Sequence, residues 1–146
     1  MSNESIPQAA GDTAGARRTA KALKTVLALV FLGLGGWCVL TPEMVETLAL
    51  NESYRHLSPT SALLLQCFGA QAMLVGSLAL LSRFTATTFL AFGLLASVPF
   101  FVFNAWFVWG TKMFTAWMLL DFAGNLSFLI IGIIGWRLMR GETEPV

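Results

Sequence analysis

Histidine is all but absent from this 146-residue chain: His56 is the only one. Cysteine is scarce too, and Cys38 and Cys67 form neither a C-x-x-C pair nor a Cys/His cluster. Metal centres need several such ligands at close spacing. No metal ligation is therefore expected, and no haem or other cofactor. Each cysteine lies inside an apolar run and reads as a small packing residue. Charge is thin: 12% of residues are charged and the net charge is +1, against about 25% charged in an average soluble domain. No basic excess exists to attract nucleic acid. The chain has no HExxH, no GxSxG and no phosphate loop. No A-x-A cleavage signal follows the first apolar run, which reads as an uncleaved signal anchor. Strict apolar/polar alternation is missing, which excludes a transmembrane β-barrel. No internal repeat is evident.

Apolar residues, by contrast, make up 56% of the chain. A small domain buries the least of its surface, so a water-soluble fold of this length could not hide that much. Lipid removes the difficulty. Four runs stand out: 25–40 (TVLALVFLGLGGWCVL), 61–81, 87–109 and 113–136. The last three reach the roughly 20 residues that a helix needs to cross about 30 Å of hydrocarbon. The first is shorter, and its flanking Lys21 and Lys24 are expected to snorkel. The expected fold is an all-α integral membrane protein, a compact bundle of four transmembrane helices. Residues 1–20 are too polar to order themselves and read as a disordered cytoplasmic tail. Residues 21–140 form the membrane domain, with an outer loop at 41–60. Residues 141–146 are a second cytoplasmic tail.

Basic residues assign the orientation. Arg17, Arg18, Lys21 and Lys24 precede the first run, Arg83 lies between the second and third, and Arg137 and Arg140 follow the fourth. All fall on one side, leaving Arg55 and Lys112 on the other. Both termini are thus expected in the cytoplasm. Trp37, Trp106, Trp109 and Trp117 would lie near the outer interface and Trp136 near the inner one, the depth that indole rings favour. Asn51-Glu52-Ser53 is a glycosylation triplet in the outer loop. That triplet and the short first run together suggest the endoplasmic reticulum, whose bilayer is thinner than average. In a cell without that organelle the cell membrane is expected.

Polar residues inside the runs are the candidates for function, because burying them in lipid is costly. Asp121 is the clearest, about 12 Å in from Met113, and is the candidate proton donor. Asn125 lies one turn on, on the same face. Gln66 and Asn104 fall roughly 7–8 Å below the outer edge on their own runs. Two polar layers are expected: Gln66, Asn104 and Asp121 above, Gln71 and Asn125 below. Arg55, His56 and Glu52 would cap them. Pro99 should kink the third run and free a carbonyl near Leu95, shaping an apolar pocket with Phe100 and Phe101. The bland alternative is interhelical glue for the amides and lipid-facing filler for the phenylalanines. Gly33, Gly35 and Gly36, and the Ala72-x-x-x-Gly76 pair, read as packing devices.

Three roles fit these residues. The leading one is an accessory or scaffold component of a lipophilic metabolic pathway (lipid, sterol or terpenoid-like), partnered by other membrane enzymes or by a second copy. In its four runs and the Gly110-Thr111 turn before the last, the chain is similar in architecture to the small four-helix scaffold of sterol biosynthesis. That likeness implies the same accessory role. The second is a membrane-embedded isomerase or cyclase in which Asp121 donates a proton to a lipophilic small molecule. The third is an oligomeric proton-coupled transporter.

Overall fold

A computed structural model describes the backbone of residues 7–142 and 145–146, and the side chains of the same residues from 14 onward. Its elements are α1 (Pro7–Leu40), α2 (Pro42–Ala49), a 3-10 turn at Glu52–Tyr54, α3 (Pro59–Leu81), α4 (Ala86–Asn104), a π-turn at Ala105–Gly110 and α5 (Met118–Met139). Among the described residues there is no strand, only one bridge between Leu50 and Phe114. Four of the helices are long and apolar enough to cross a membrane: Ala14–Leu40 within α1, α3, Ala86–Gly110 and α5. Only 17–28% of the most apolar stretch of each is buried inside the chain, so most of that apolar surface faces outward.

Local chemistry sets the element boundaries. Pro42 starts α2, since its missing N–H costs nothing at a first helical turn. Ser58 and Ser61 form a reciprocal capping box at the start of α3, with Pro59 in the first turn. Thr85 caps α4 by accepting from the Thr88 N–H at 3.2 Å. Lys112, at φ 54°, takes the left-handed conformation that a helix cannot continue through.

Two boundaries differ from the sequence reading. Residues 7–20, expected in a tail, continue α1, and Ala20 is fully buried; residues 1–6 lie outside the described residues. The helix that carries the first apolar run spans 27 residues from Ala14 to Leu40, with Arg17, Arg18, Lys21 and Lys24 included. The last helix begins at Met118, not Met113. Residues 113–117 are apolar but pair with the α2 end instead: the Asn51 N–H donates to Met113 O and the Thr115 N–H to Ala49 O, both at 2.9 Å.

The helices pack as two pairs, α1 with α3 and α4 with α5, joined where α1 meets α5. The expected arrangement in which the second, third and fourth runs share one interior does not form. Small residues decide both seams. A Cβ on Gly35 would come within 2.5 Å of Gly69 O, and one on Gly69 within 2.5 Å of Gly35 O. Gly33 and Gly36 face open space, so only the middle of the three expected packing glycines is used. On the other pair, Gly93 and Gly132 meet backbone to backbone, and Phe89 packs where a Gly135 side chain would stand. α4 runs unbroken through Pro99.

The two ends of the assembly differ. At one end Lys24 of α1 donates to Ser82 O at 2.9 Å and to Val146 O at 3.4 Å, and sits over the Phe84 ring. Phe84 and Val146 exchange backbone hydrogen bonds, and Arg140 covers Trp136. This gathers Lys24, the 82–85 turn and the end of α5. The opposite end holds α2, the 3-10 turn, the π-turn and residues 111–117.

Candidate functional site

Asp121 lies in the first turn of α5. It is three residues from Met118, about 4.5 Å along the axis, and not the depth expected from a helix starting at Met113. The partial positive charge of a helix N-terminus favours a carboxylate there. Asn104, the last residue of α4, donates from Nδ2 to Asp121 Oδ2 at 2.9 Å and to Phe100 O at 3.0 Å. Asn125, one turn along α5, donates to the same Oδ2 at 2.8 Å. Both amides are buried, at 2% and 4% exposure, while Asp121 is half-buried. One turn and a half below, the Ser97 hydroxyl donates to Asn125 O at 2.6 Å. The result is a polar clasp that joins α4 to α5. Among the described residues, Asn104 Oδ1 alone is a buried side-chain polar atom without a partner.

The clasp thus brings together Asn104, Asp121 and Asn125 and leaves out the other expected members. Gln66 is exposed on α3 and donates to Val39 O of α1 at 3.3 Å. Gln71 is exposed and makes no hydrogen bond. The reason is tertiary: α3 packs on α1, on the far side from α4. Phe101 packs on Phe122, ring centroids 4.9 Å apart, and Phe100 sits edge-on to Phe103 at 6.1 Å; neither lines either of the two best-formed hollows. The expected cap is also elsewhere. Arg55 Nε donates to Leu50 O at 2.8 Å, and no hydrogen bond or ion pair joins Arg55, His56 or Glu52 to Asp121. The two best-formed hollows are open depressions, one lined by residues 40–44 and the other by Ala116, Trp117, Leu119 and Leu120. Neither touches the clasp.

Two charged residues do more than the sequence reading gave them. Glu46 of α2 is 3% exposed and accepts from the His56 N–H at 2.7 Å and the Leu57 N–H at 3.0 Å. The Ser61 hydroxyl first, then those two amides, hold its carboxyl below the usual glutamate range. This fixes the loop where Leu57 takes a left-handed φ of 43°. The available signal was helical spacing, because Glu46 shares a face with Pro42 and Leu50. Lys24 was expected to snorkel outward but is 8% exposed. It stands on the stripe of Ala20, Leu27 and Ala28, all fully buried, so its own periodicity pointed inward.

The Asn51 amide nitrogen, which would carry a glycan, donates to Lys112 O at 2.5 Å and Phe114 O at 3.1 Å. A glycan there would leave the nitrogen a single N–H, so at least one of the two bonds that hold the loop to residues 112–114 would be lost. Among the described residues no three His, Cys, Asp or Glu side chains gather as a metal site would require.

No protein-family model, no curated protein and no solved structure matches the chain.

Proposed function

We propose that the chain is a four-span integral membrane protein with both termini cytoplasmic, acting as an accessory or scaffold component for enzymes of a lipophilic pathway. The observation that carries the role is how Asp121 is used. Its carboxylate accepts two hydrogen bonds from buried amides of its own chain at a helix N-terminus, and no residue of the clasp lines either of the two best-formed hollows. A proton donor needs a substrate within hydrogen-bond reach; here Oδ2 is taken by Asn104 and Asn125. Support for the orientation comes from the end at which Lys24, the Arg83 turn and Arg140 gather, in keeping with the excess of basic residues on cytoplasmic flanks. The glycosylation triplet lends the endoplasmic reticulum less support, since the Asn51 amide is engaged within the chain.

One observation favours the enzyme reading as a second possibility to test. Asn104 Oδ1 is buried and unpartnered beside Asp121, so a lipophilic molecule bearing a hydroxyl or amine could donate to it.

Gentle solubilisation followed by purification of the tagged chain separates the two. The accessory role expects membrane proteins to co-purify in fixed ratio, to persist with Asp121→Asn, and to be lost when the outward face of α4 is altered by Leu95→Trp with Val102→Trp. Purification of the chain alone, with a lipophilic molecule retained by the native protein and absent from Asn104→Ala, would replace it with the enzyme reading.

A further inference from the structure

Gln71 is placed where a polar side chain has the fewest reasons to be. It lies twelve residues from Pro59 and ten from Leu81, about 18 and 15 Å along the axis, so at the midpoint of a helix that crosses the bilayer. It is exposed and without a hydrogen bond, whereas Gln66, nearer the helix end, reaches Val39 O. An unpaired amide facing hydrocarbon is costly, because lipid tails offer no donor or acceptor.

The residues around it are patterned. Thr60, Leu64, Cys67, Gln71, Leu74, Leu78 and Leu81 follow one another at steps of four and three. Every one is exposed. That spacing is the seam of a left-handed helix pair. The seam used within the chain is a different one: Gly69, Ala72, Gly76 and Ala79 are buried against α1, and lie nearly opposite on the helix. α3 therefore carries two seams, one filled by α1 and one left open with an amide at its centre.

We infer that α3 pairs with α3 of a second copy, in parallel, with Gln71 bonded to Gln71 of that copy. The occupant follows from complementarity. A primary amide is donor and acceptor at once, so two related by a two-fold axis satisfy each other. Insertion in the same orientation places both at the same depth, and the same heptad spacing matches along the whole helix. Any other partner would need its own polar group at the bilayer midpoint. A single polar residue at such a position is also what fixes register and copy number in helix pairs. The inference rests on the membrane reading above and is independent of the accessory role.

Cysteine crosslinking tests it. Cys67 lies in the open seam, while Cys38 is buried in the α1 contact. In phosphatidylcholine vesicles, copper–phenanthroline should convert the native protein into a disulfide dimer, and Cys67→Ser should abolish it. In the Cys67→Ser background, single cysteines at 64, 74 and 78 should crosslink, and Phe68→Cys and Leu80→Cys should not. Gln71→Leu should weaken pairing, read by energy transfer between labelled copies on lipid dilution, by about 3- to 20-fold. Because Gln71 is exposed and makes no hydrogen bond within the chain, that variant should fold and insert as the native protein does. Equal crosslinking on and off the seam, no effect of Gln71→Leu, or a Cys67 crosslink to a different protein would overturn the pairing. Extraction of the chain by alkaline carbonate would instead overturn the membrane reading itself.

Discussion

Gly132→Ala is the substitution whose cost follows most directly from the packing. A Cβ at Gly132 would stand 2.8 Å from Gly93 Cα and 2.9 Å from Phe89 O. Ordinary contact begins near 3.4 Å, so the seam must open by at least 0.6 Å, the difference between 3.4 and 2.8 Å. Neither atom belongs to a flexible side chain; both are backbone, so the helices themselves must part. A gap of 0.5–1 Å forfeits about a quarter to a half of each contact's attraction. Overpacking of this kind typically costs about 1–3 kcal/mol. Gly124 provides the control on the same helix, because a Cβ there meets nothing within 4 Å. Gly124→Ala should be neutral or gain up to about 1 kcal/mol, since glycine is the poorer helix former. The assay is reversible unfolding in mixed micelles with increasing SDS. Gly132→Ala should lose about 1–3 kcal/mol and Gly124→Ala none. Equal behaviour of the two variants would refute the close approach of α4 and α5.

The same contrast should hold on the other pair, where Gly35→Ala destabilises and Gly33→Ala and Gly36→Ala do not. Glu46 gives a pH dependence with a definite sign. Its folded pKa is lowered, so its contribution is fully present above the unfolded value of about 4.3 and is lost as pH falls through the folded value. The unfolding midpoint should drop across that acidic range in the native protein and respond far less in Glu46→Gln. Lys24→Met should remove the bonds to Ser82 O and Val146 O. It should cost about 1–3 kcal/mol and raise protease sensitivity of the residues after Arg140. Asp121→Leu should cost more than Asp121→Asn, because leucine leaves the buried Asn125 amide unpaired, at about 1–3 kcal/mol, and Asn104 with only its bond to Phe100 O, while asparagine retains an acceptor oxygen.

The helices were legible in the sequence because apolar length is a local property. α3 and α4 start within two residues of their expected positions. The start of α5 was not legible: residues 113–117 are as apolar as the helix that follows. What keeps them out of it is the left-handed Lys112 and a pairing with α2 more than sixty residues earlier. Membership of the clasp was partly legible. Asn125 follows Asp121 by one helical turn, and Asn104 belongs to the helix immediately before, so short-range logic found all three. Gln66 and Gln71 matched them in depth, but depth says nothing about which helix is the neighbour. That depends on α1 lying between α3 and α5, which no local pattern records. For the same reason the sequence offered three glycines on α1 where the fold uses one.

The account turns on whether the Asp121 carboxylate performs chemistry or holds α4 to α5. The direct measurement is complementation of a deletion strain of the native host by Asp121→Asn, with membrane levels matched to the native protein. Full complementation is the predicted result. A variant that is present in the membrane at native level, folds as stably as the native chain and yet fails to complement would contradict the accessory role.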